Sequence, residues 1–366
     1  MEQTTSARQG QAETFPLGPY HPALPEPIWY QLHLRGDWID HVEIKTGYCR
    51  RGVEALLTQR SIEDSLKLAE RLCGSAAHHH RLAFCLALER LAGIQAPPLA
   101  QAIRSLFCEI ERLLSHLSWA MRLAQAADRP RAFYAAVEAR ERLTQALEQS
   151  TGQRLLWGLP IPGGVAARPD CIPLAQEIPS ITHDINQIER ELANHRSLQR
   201  RARGLASIST EQARQLHLTG PVAHAAGLED DARRSQSYDA YTNVALPSPG
   251  SITGDIAGRI SLCFAEMRAS MAFAADFIEK LTDGPLAQSF PEALPAGEAE
   301  SSVEGPQGRE TWHIRSDSSN QLAAVTITTA SERNLAAVRP VLEGQRLSDA
   351  LLILASLDLC IACIDK

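Results

Sequence analysis

The chain has 366 residues, a formal net charge of −7 and a 44% share of apolar residues. That length supports a sizeable core, and the acidic balance excludes an electrostatic case for nucleic acid or anionic lipid as the main partner. No run approaches the roughly 20 apolar residues of a membrane span, because "ALLILASLDLCIACI" is short and carries an aspartate.

Residues 1–18, "MEQTTSARQGQAETFPLG", lack the charged-then-apolar layout of a signal peptide and are expected to be a disordered lead-in to one domain over 19–366. "PIWYQLHLRGDWIDHVEIKTG" alternates apolar and polar residues about a Gly-Asp pair, so residues 19–60 are expected to hold a β-hairpin, and "RGD" is read as turn chemistry. From Ser61 the period becomes helical. Ser61 and Asp64 make an N-terminal cap, and Ile62, Leu66, Ala69 and Leu72 then recur on one face.

Beyond the loop "CGSAAHHHR", "RLAFCLALERLAGI" is a second helix that stops at a glycine. "APPLAQAIRSLFCEIERLLSHLSWAMRLAQAA" opens on prolines and is too long and apolar for a lone surface helix. Another long helix ends at Gly152, and residues 174–216 and "IAGRISLCFAEMRASMAFAADFIEKL" complete a helical core over 61–285, with an irregular stretch between them. "EALPAGEAESSVEGPQG" reads as a loose linker into a second hairpin. Residues 303–366 pair that hairpin with a short C-terminal helix. The fold class is therefore mainly α (α+β), a bundle of long antiparallel helices with small β-hairpins near both ends.

Eight cysteines without an export signal argue for reduced thiols or metal ligation. Cys85 and Cys108 fall on apolar helical faces, as core residues do. Cys360 and Cys363 form a C-x-x-C pair, and Cys73 stands alone in the histidine-bearing loop. Thiolate sites often join remote loops, because a metal needs several soft donors converging in space.

These two loops carry a resemblance. "ERLCGSAAHHHRLAFCLALERLAG" looks like the first metal loop, R-x-C-G-x-C-x-x-x-H, of the [NiFe]-hydrogenase large subunit, and "LDLCIACIDK" looks like its second, D-P-C-x-x-C. "GPYHPALPEP", "IKTGYCRRGVEAL", "IRSLFCEIERLLSHL", "GPVAHAAGLEDDARRSQSYDAY", "GDIAGRISLCFAEMRAS" and "VEGPQGRE" follow in the family's order. They are most similar to the membrane-bound, energy-converting class and to its relative, the hydrogenase-derived quinone-pocket subunit of respiratory complex I. The resemblance implies a subunit on the cytoplasmic face of the membrane, attached through its partners. Those partners are an iron–sulfur small subunit of the complex I B type, other peripheral-arm subunits and integral membrane subunits.

The resemblance also assigns residues. Cys73, Cys360 and Cys363 match three of four metal cysteines, while Ala76 stands at the fourth and cannot ligate. The [NiFe] centre is therefore expected to be degenerate or missing. One nickel, iron or zinc ion, or a quinone in its place, are the alternatives, and three thiolates with a histidine suit zinc. His80 matches the histidine that orients the loop. His78 and His79 lie outside the pattern, and neighbouring side chains at a helix start diverge. Gln307 replaces a family arginine near the metals, and Glu26 matches a glutamate that moves protons. Pro25 and Gly74 stand where the complex I branch carries its two quinone-binding donors. His224, Asp231 and Arg233 match positions near the cavity. For Arg104, Glu109, Arg112 and His116 the resemblance implies a polar, proton-conducting or interface role, and the residues themselves read as an internal salt-bridge network. Arg234 reads as surface.

Overall fold

The computed structural model describes residues 13–243, 253–318 and 321–366. Three strands, β1 (Glu13–Leu17), β2 (Trp29–Arg35) and β3 (Trp38–Lys45), form an antiparallel sheet in that order. Arg35 faces Trp38, so Gly36 and Asp37 make the two-residue turn expected of "RGD". Five residues of the expected lead-in are thus a strand, tied to β2 with Leu17 opposite Tyr30. Leu17 is buried there, and an edge position tolerates Pro16. Residues 1–12 of that lead-in lie outside the described residues.

Helices α1 (Val53–Leu57) and α2 (Ile62–Ala69) follow. The Ser61 hydroxyl accepts the Asp64 N–H at 3.2 Å, which makes the expected cap. Helix α3 (Ala77–Ala92) is buried on nearly every side, and its end is a left-handed Gly93. The long α4 (Pro98–Ala126) and α5 (Pro130–Thr151) both open on proline, whose missing N–H costs nothing in a first turn. A small hairpin, β4 (Pro160–Ile161) with β5 (Gly164–Val165), leads to α6 (Ile172–Leu192).

The stretch read as one helical region to residue 216 breaks here into α6, α7 (Arg196–Ala202) and α8 (Thr210–Gln215). Short helices α9 (Gly220–Ala225) and α10 (Ala232–Ser235) occupy the irregular stretch, of which residues 244–252 lie outside the described residues. Helix α11 (Ile256–Glu279) packs on α4 and α6, and α5 lies between α4 and α6.

The expected linker is instead structure. Residues Gly297–Gly305 form β6, which pairs with β7 (Gly308–Ser316) and through it with β8 (Leu322–Thr328). The last five residues of β6 are buried on both faces, and α3 packs against the strand. Small polar residues survive there through hydrogen bonds: Ser301 donates to the Ala83 carbonyl at 2.5 Å, and Ser302 meets the Thr311 hydroxyl at 2.9 Å. The β6–β7 turn carries Gln307. It passes so close to α9 that a Cβ on Gly308, at φ +129°, would lie 2.7 Å from the Gly220 nitrogen. Helices α12 (Ala330–Asn334), α13 (Val338–Leu342), α14 (Ala350–Leu357) and α15 (Ile361–Ile364) close the chain. No helix among the described residues is long and apolar enough to cross a membrane.

Candidate functional site

The sulfurs of Cys73, Cys360 and Cys363 lie within 4.8 Å of one another, all buried. Two loops make this meeting possible. Cys73 sits between α2 and α3, while Cys360 immediately precedes α15, after a left-handed Asp358 (φ 52°) ends α14. Arg51 staples them, donating to the carbonyls of Leu72 at 2.6 Å and Ala362 at 2.9 Å. The C-x-x-C segment is held further by Cys360 N–H on the Ser331 hydroxyl (2.9 Å) and by the Thr329 hydroxyl on the Cys363 carbonyl (3.1 Å). Glu26 joins in, because its carboxylate accepts the Ala362 N–H at 2.8 Å.

Ala76 packs into this thiol group, buried with Cys73, Cys360, Ala362 and Cys363. A methyl group therefore stands beside three soft donors, and a four-thiolate set is not formed. His80 Nε2 lies 3.4 Å from the Cys363 sulfur, and Trp312 Nε1–H donates to His80 Nδ1 at 3.5 Å. With Nδ1 accepting, the remaining proton sits on Nε2 and faces sulfur, so the ring is oriented toward the thiols. Hydrogen bonds from the Cys360 and Cys363 thiols hold Cys73 well below the usual thiol range, against the opposing effect of burial. Cys360 and Cys73 in turn push Cys363 well above it. Of the three, Cys73 is thus the thiol whose ionised form its neighbours favour. That donor set fits a single thiophilic ion: a tetrahedral site with metal–sulfur bonds of about 2.3 Å would space its sulfurs at roughly 3.8 Å.

His78 and His79 do not join the thiols. His78 Nε2 faces the Arg104 carbonyl at 3.0 Å, and His79 Nδ1 meets Glu111 at 2.7 Å. Glu111 also accepts the N–H groups of His78 (2.9 Å) and His79 (3.0 Å), capping α3 from α4 because Ala76 cannot. Burial pushes the Glu111 carboxyl up to about 7.

A cavity of about 420 Å³ opens over the thiols, with Cys73 and Cys360 in its wall. Glu26 and Gln307 line it, as do Pro25 and Gly74. Gln307 Nε2 donates to Asp358 at 3.0 Å and to the Ser115 hydroxyl at 3.1 Å, and Asp358 is also bonded by Arg122. The sequence reading missed four arginines of this wall: Arg71, Arg122, Arg140 and Arg154. Helical periodicity presents such residues as a solvated face, and only the fold brings those faces over the sulfurs.

His224 and Asp231, expected beside the cavity, are not among its lining residues. They belong to a separate buried charged layer, because α9 and α10 direct them toward α4, α11 and β6. His224, Asp231 and Glu304 group within 4.8 Å, and His224 Nδ1 lies 3.5 Å from Glu266. Asp231 is bonded by Arg233 at 2.7 Å, a cation that competes with any metal there. Glu109 pairs with Arg112 (3.3 Å) and Arg233 (3.2 Å), and His116 meets Glu266 at 3.0 Å. Arg104 pairs with Glu89 at 2.5 Å. The internal network expected of α4 is thus present, and Arg234 is exposed. Burial opposes ionisation of Glu109, yet Arg112 and Arg233 hold it down to about 2. Burial also disfavours charge on His224, but the Glu266 hydrogen bond and nearby carboxylates raise it to about 9.

Comparison with known proteins identifies the family and the fold. The family model of the respiratory-chain NADH dehydrogenase 49 kDa subunit matches residues 130–294 and 289–366, and that of nickel-dependent hydrogenase matches 51–152. The D-type subunit of the NADH-quinone oxidoreductase of Syntrophobacter fumaroxidans is 30% identical, covering 97% of both chains. The carbon monoxide-induced hydrogenase of Rhodospirillum rubrum is 28% identical over 96% of this chain and 99% of its own. A chain from the structure of the membrane-bound sulfane sulfur reductase, an archaeal respiratory membrane complex, shares the fold, with a TM-score of 0.92 and 24% identity over 99% of this chain and all of its own. This chain belongs to the family of the 49 kDa subunit of respiratory-chain NADH dehydrogenase, kin to the nickel-dependent hydrogenases.

Proposed function

We propose that the protein is the large, hydrogenase-like subunit of a membrane-associated oxidoreductase complex, peripheral on the cytoplasmic face. It takes electrons from an iron–sulfur cluster on a small partner subunit and passes them to an acceptor in the cavity. That transfer is coupled to ion or proton movement through integral membrane subunits. The [NiFe] centre of the hydrogenases is degenerate or missing. One observation carries this reading: a buried methyl, Ala76, sits among three thiols, two of which, Cys73 and Cys360, line a cavity. Three thiolates can hold a single nickel, iron or zinc ion, which would act as a Lewis acid or a structural tie.

In this reading the residues divide the work. Cys73, Cys360 and Cys363 supply the soft donors, and His80 orients a proton toward the Cys363 sulfur. Glu26, at the cavity wall and on the C-x-x-C backbone, is placed to exchange a proton with the acceptor. Elemental analysis of the intact purified complex, with hydrogen-oxidation and acceptor-reduction assays, tests this. Hydrogen-independent acceptor reduction without stoichiometric nickel is expected. Stoichiometric nickel with hydrogenase turnover would overturn the reading in favour of an active hydrogenase with an altered ligand set.

A further inference from the structure

The arginines of the cavity are not equivalent. Arg122 is ion-paired with Asp358, Arg71 with Glu70 at 2.7 Å, and Arg154 with Glu141 at 2.7 Å and Glu148 at 3.3 Å. The acids of the wall are likewise engaged. Glu70 also receives Arg81 (2.7 Å) and the Gly158 N–H (2.7 Å), Glu26 holds Ala362, and Glu111 caps α3. Arg140 is the exception. Its Nε donates to the Ser118 hydroxyl at 2.8 Å, and among the described residues no carboxylate lies within ion-pair distance of it. The nearest acid in sequence, Glu141, is taken in bidentate fashion by Arg154 (2.7 and 2.9 Å). Burial draws the Arg140 guanidinium below the ordinary arginine range, while guanidinium chemistry keeps it charged.

A half-buried guanidinium without a carboxylate in ion-pair contact, in the wall of a cavity, is stabilised by an incoming anion, and its planar fork matches carboxylate or oxyanion geometry. The hydroxyls of Ser118, Ser115 and Thr144 line the same cavity and add polar partners, and 420 Å³ suits a small molecule. A neutral quinone headgroup would leave Arg140 without an ion-pair partner. The geometry points to an anionic acceptor, its charged end on Arg140 and its other end facing Cys73 and Cys360. This deepens the preceding reading, resting on it only for the role of the cavity.

The test uses the purified complex and needs no knowledge of the natural acceptor. Alkylation of Cys73 and Cys360 by anionic iodoacetate and by neutral iodoacetamide is followed by peptide mass spectrometry, with partly exposed Cys49 as internal reference. The iodoacetate-to-iodoacetamide rate ratio is expected to be several-fold higher at the cavity thiols than at Cys49. Arg140→Gln should lower it at least threefold and Arg140→Lys should largely preserve it. A ratio no higher than at Cys49, or one indifferent to Arg140→Gln, would overturn the proposal. Where neither reagent reaches the thiols, a sulfate titration decides. Saturable thermal stabilisation by sulfate that Arg140→Gln abolishes supports the anion site, and equal behaviour of both proteins overturns it. Loss of electron transfer with the ratio intact would sink the functional reading alone. A failed ratio with acceptor reduction intact would sink the anion alone.

Discussion

Two polar regions of the molecule, the charged layer about Glu109 and the thiol-bearing cavity, differ in how completely their groups are paired. In the inner layer the charges of Glu109, Arg112, Arg233 and Asp231 each have an opposite charge within 3.3 Å. In the outer region three thiols cluster beside His80, a methyl group and the cavity, and Arg140 has no carboxylate in ion-pair contact among the described residues. A satisfied network rigidifies a core, whereas unmatched donors beside a cavity are where ligands bind. Stability and chemistry are thus separable in this molecule by residue.

Substitutions that strike one region and spare the other test that separation. The largest effect is expected from Glu109→Ala, which leaves Arg112 and Arg233 buried without their shared carboxylate. Chemical denaturation should show a loss of about 3–5 kcal/mol. A loss below about 1 kcal/mol would mean that the inner layer is not the structural half. His224 sharpens the same point through pH. Its folded pKa, about 9, lies above the ordinary 6.5, so its stabilisation is complete below pH 6.5 and fades as pH rises through 9. His224→Gln should therefore be less stable than the wild type by up to about 3 kcal/mol near pH 6, with the two converging by about pH 10. A pH-independent gap would refute the charged histidine.

On the outer side, Arg51→Ala removes the staple between the thiol loops and should lower stability by about 1–3 kcal/mol. It should also loosen the thiol group, measured as faster alkylation of Cys363. The smallest stability change is expected from Cys363→Ser, within about 1 kcal/mol. Cobalt(II) titration should nevertheless lose its thiolate charge-transfer absorption. An intact cobalt spectrum in that variant would remove Cys363 from the donor set.

Much of this arrangement was legible in the residues. The turn at Gly36 and Asp37, the Ser61 cap and the prolines opening α4 and α5 follow from local chemistry, which tertiary context did not override. The pairing of Cys73 with the distant C-x-x-C was legible through soft-donor logic and family resemblance, and so was the deficit at Ala76. Strand β6 was hidden because burial on both faces removes the alternation by which strands are read, and its Gly, Ser and Glu content mimics a loop. His224 and Asp231 were assigned to the wrong region because one-dimensional order does not say which wall of α4 a loop turns toward. Arg51 and Arg140 carry no local signal. One is an ordinary basic residue before a helix and the other lies on the polar face of α5.

The Glu111 carboxylate, which receives the first free amides of α3, makes the sulfur-bearing loop mechanically dependent on a rod of 29 residues. A self-capped helix end can fray alone, but this one can do so only if the rod releases its grip. Rotation or axial sliding of α4 is therefore transmitted directly to the start of α3, next to Cys73. The same carboxylate borders the cavity, so a proton gained or lost there alters the clasp itself.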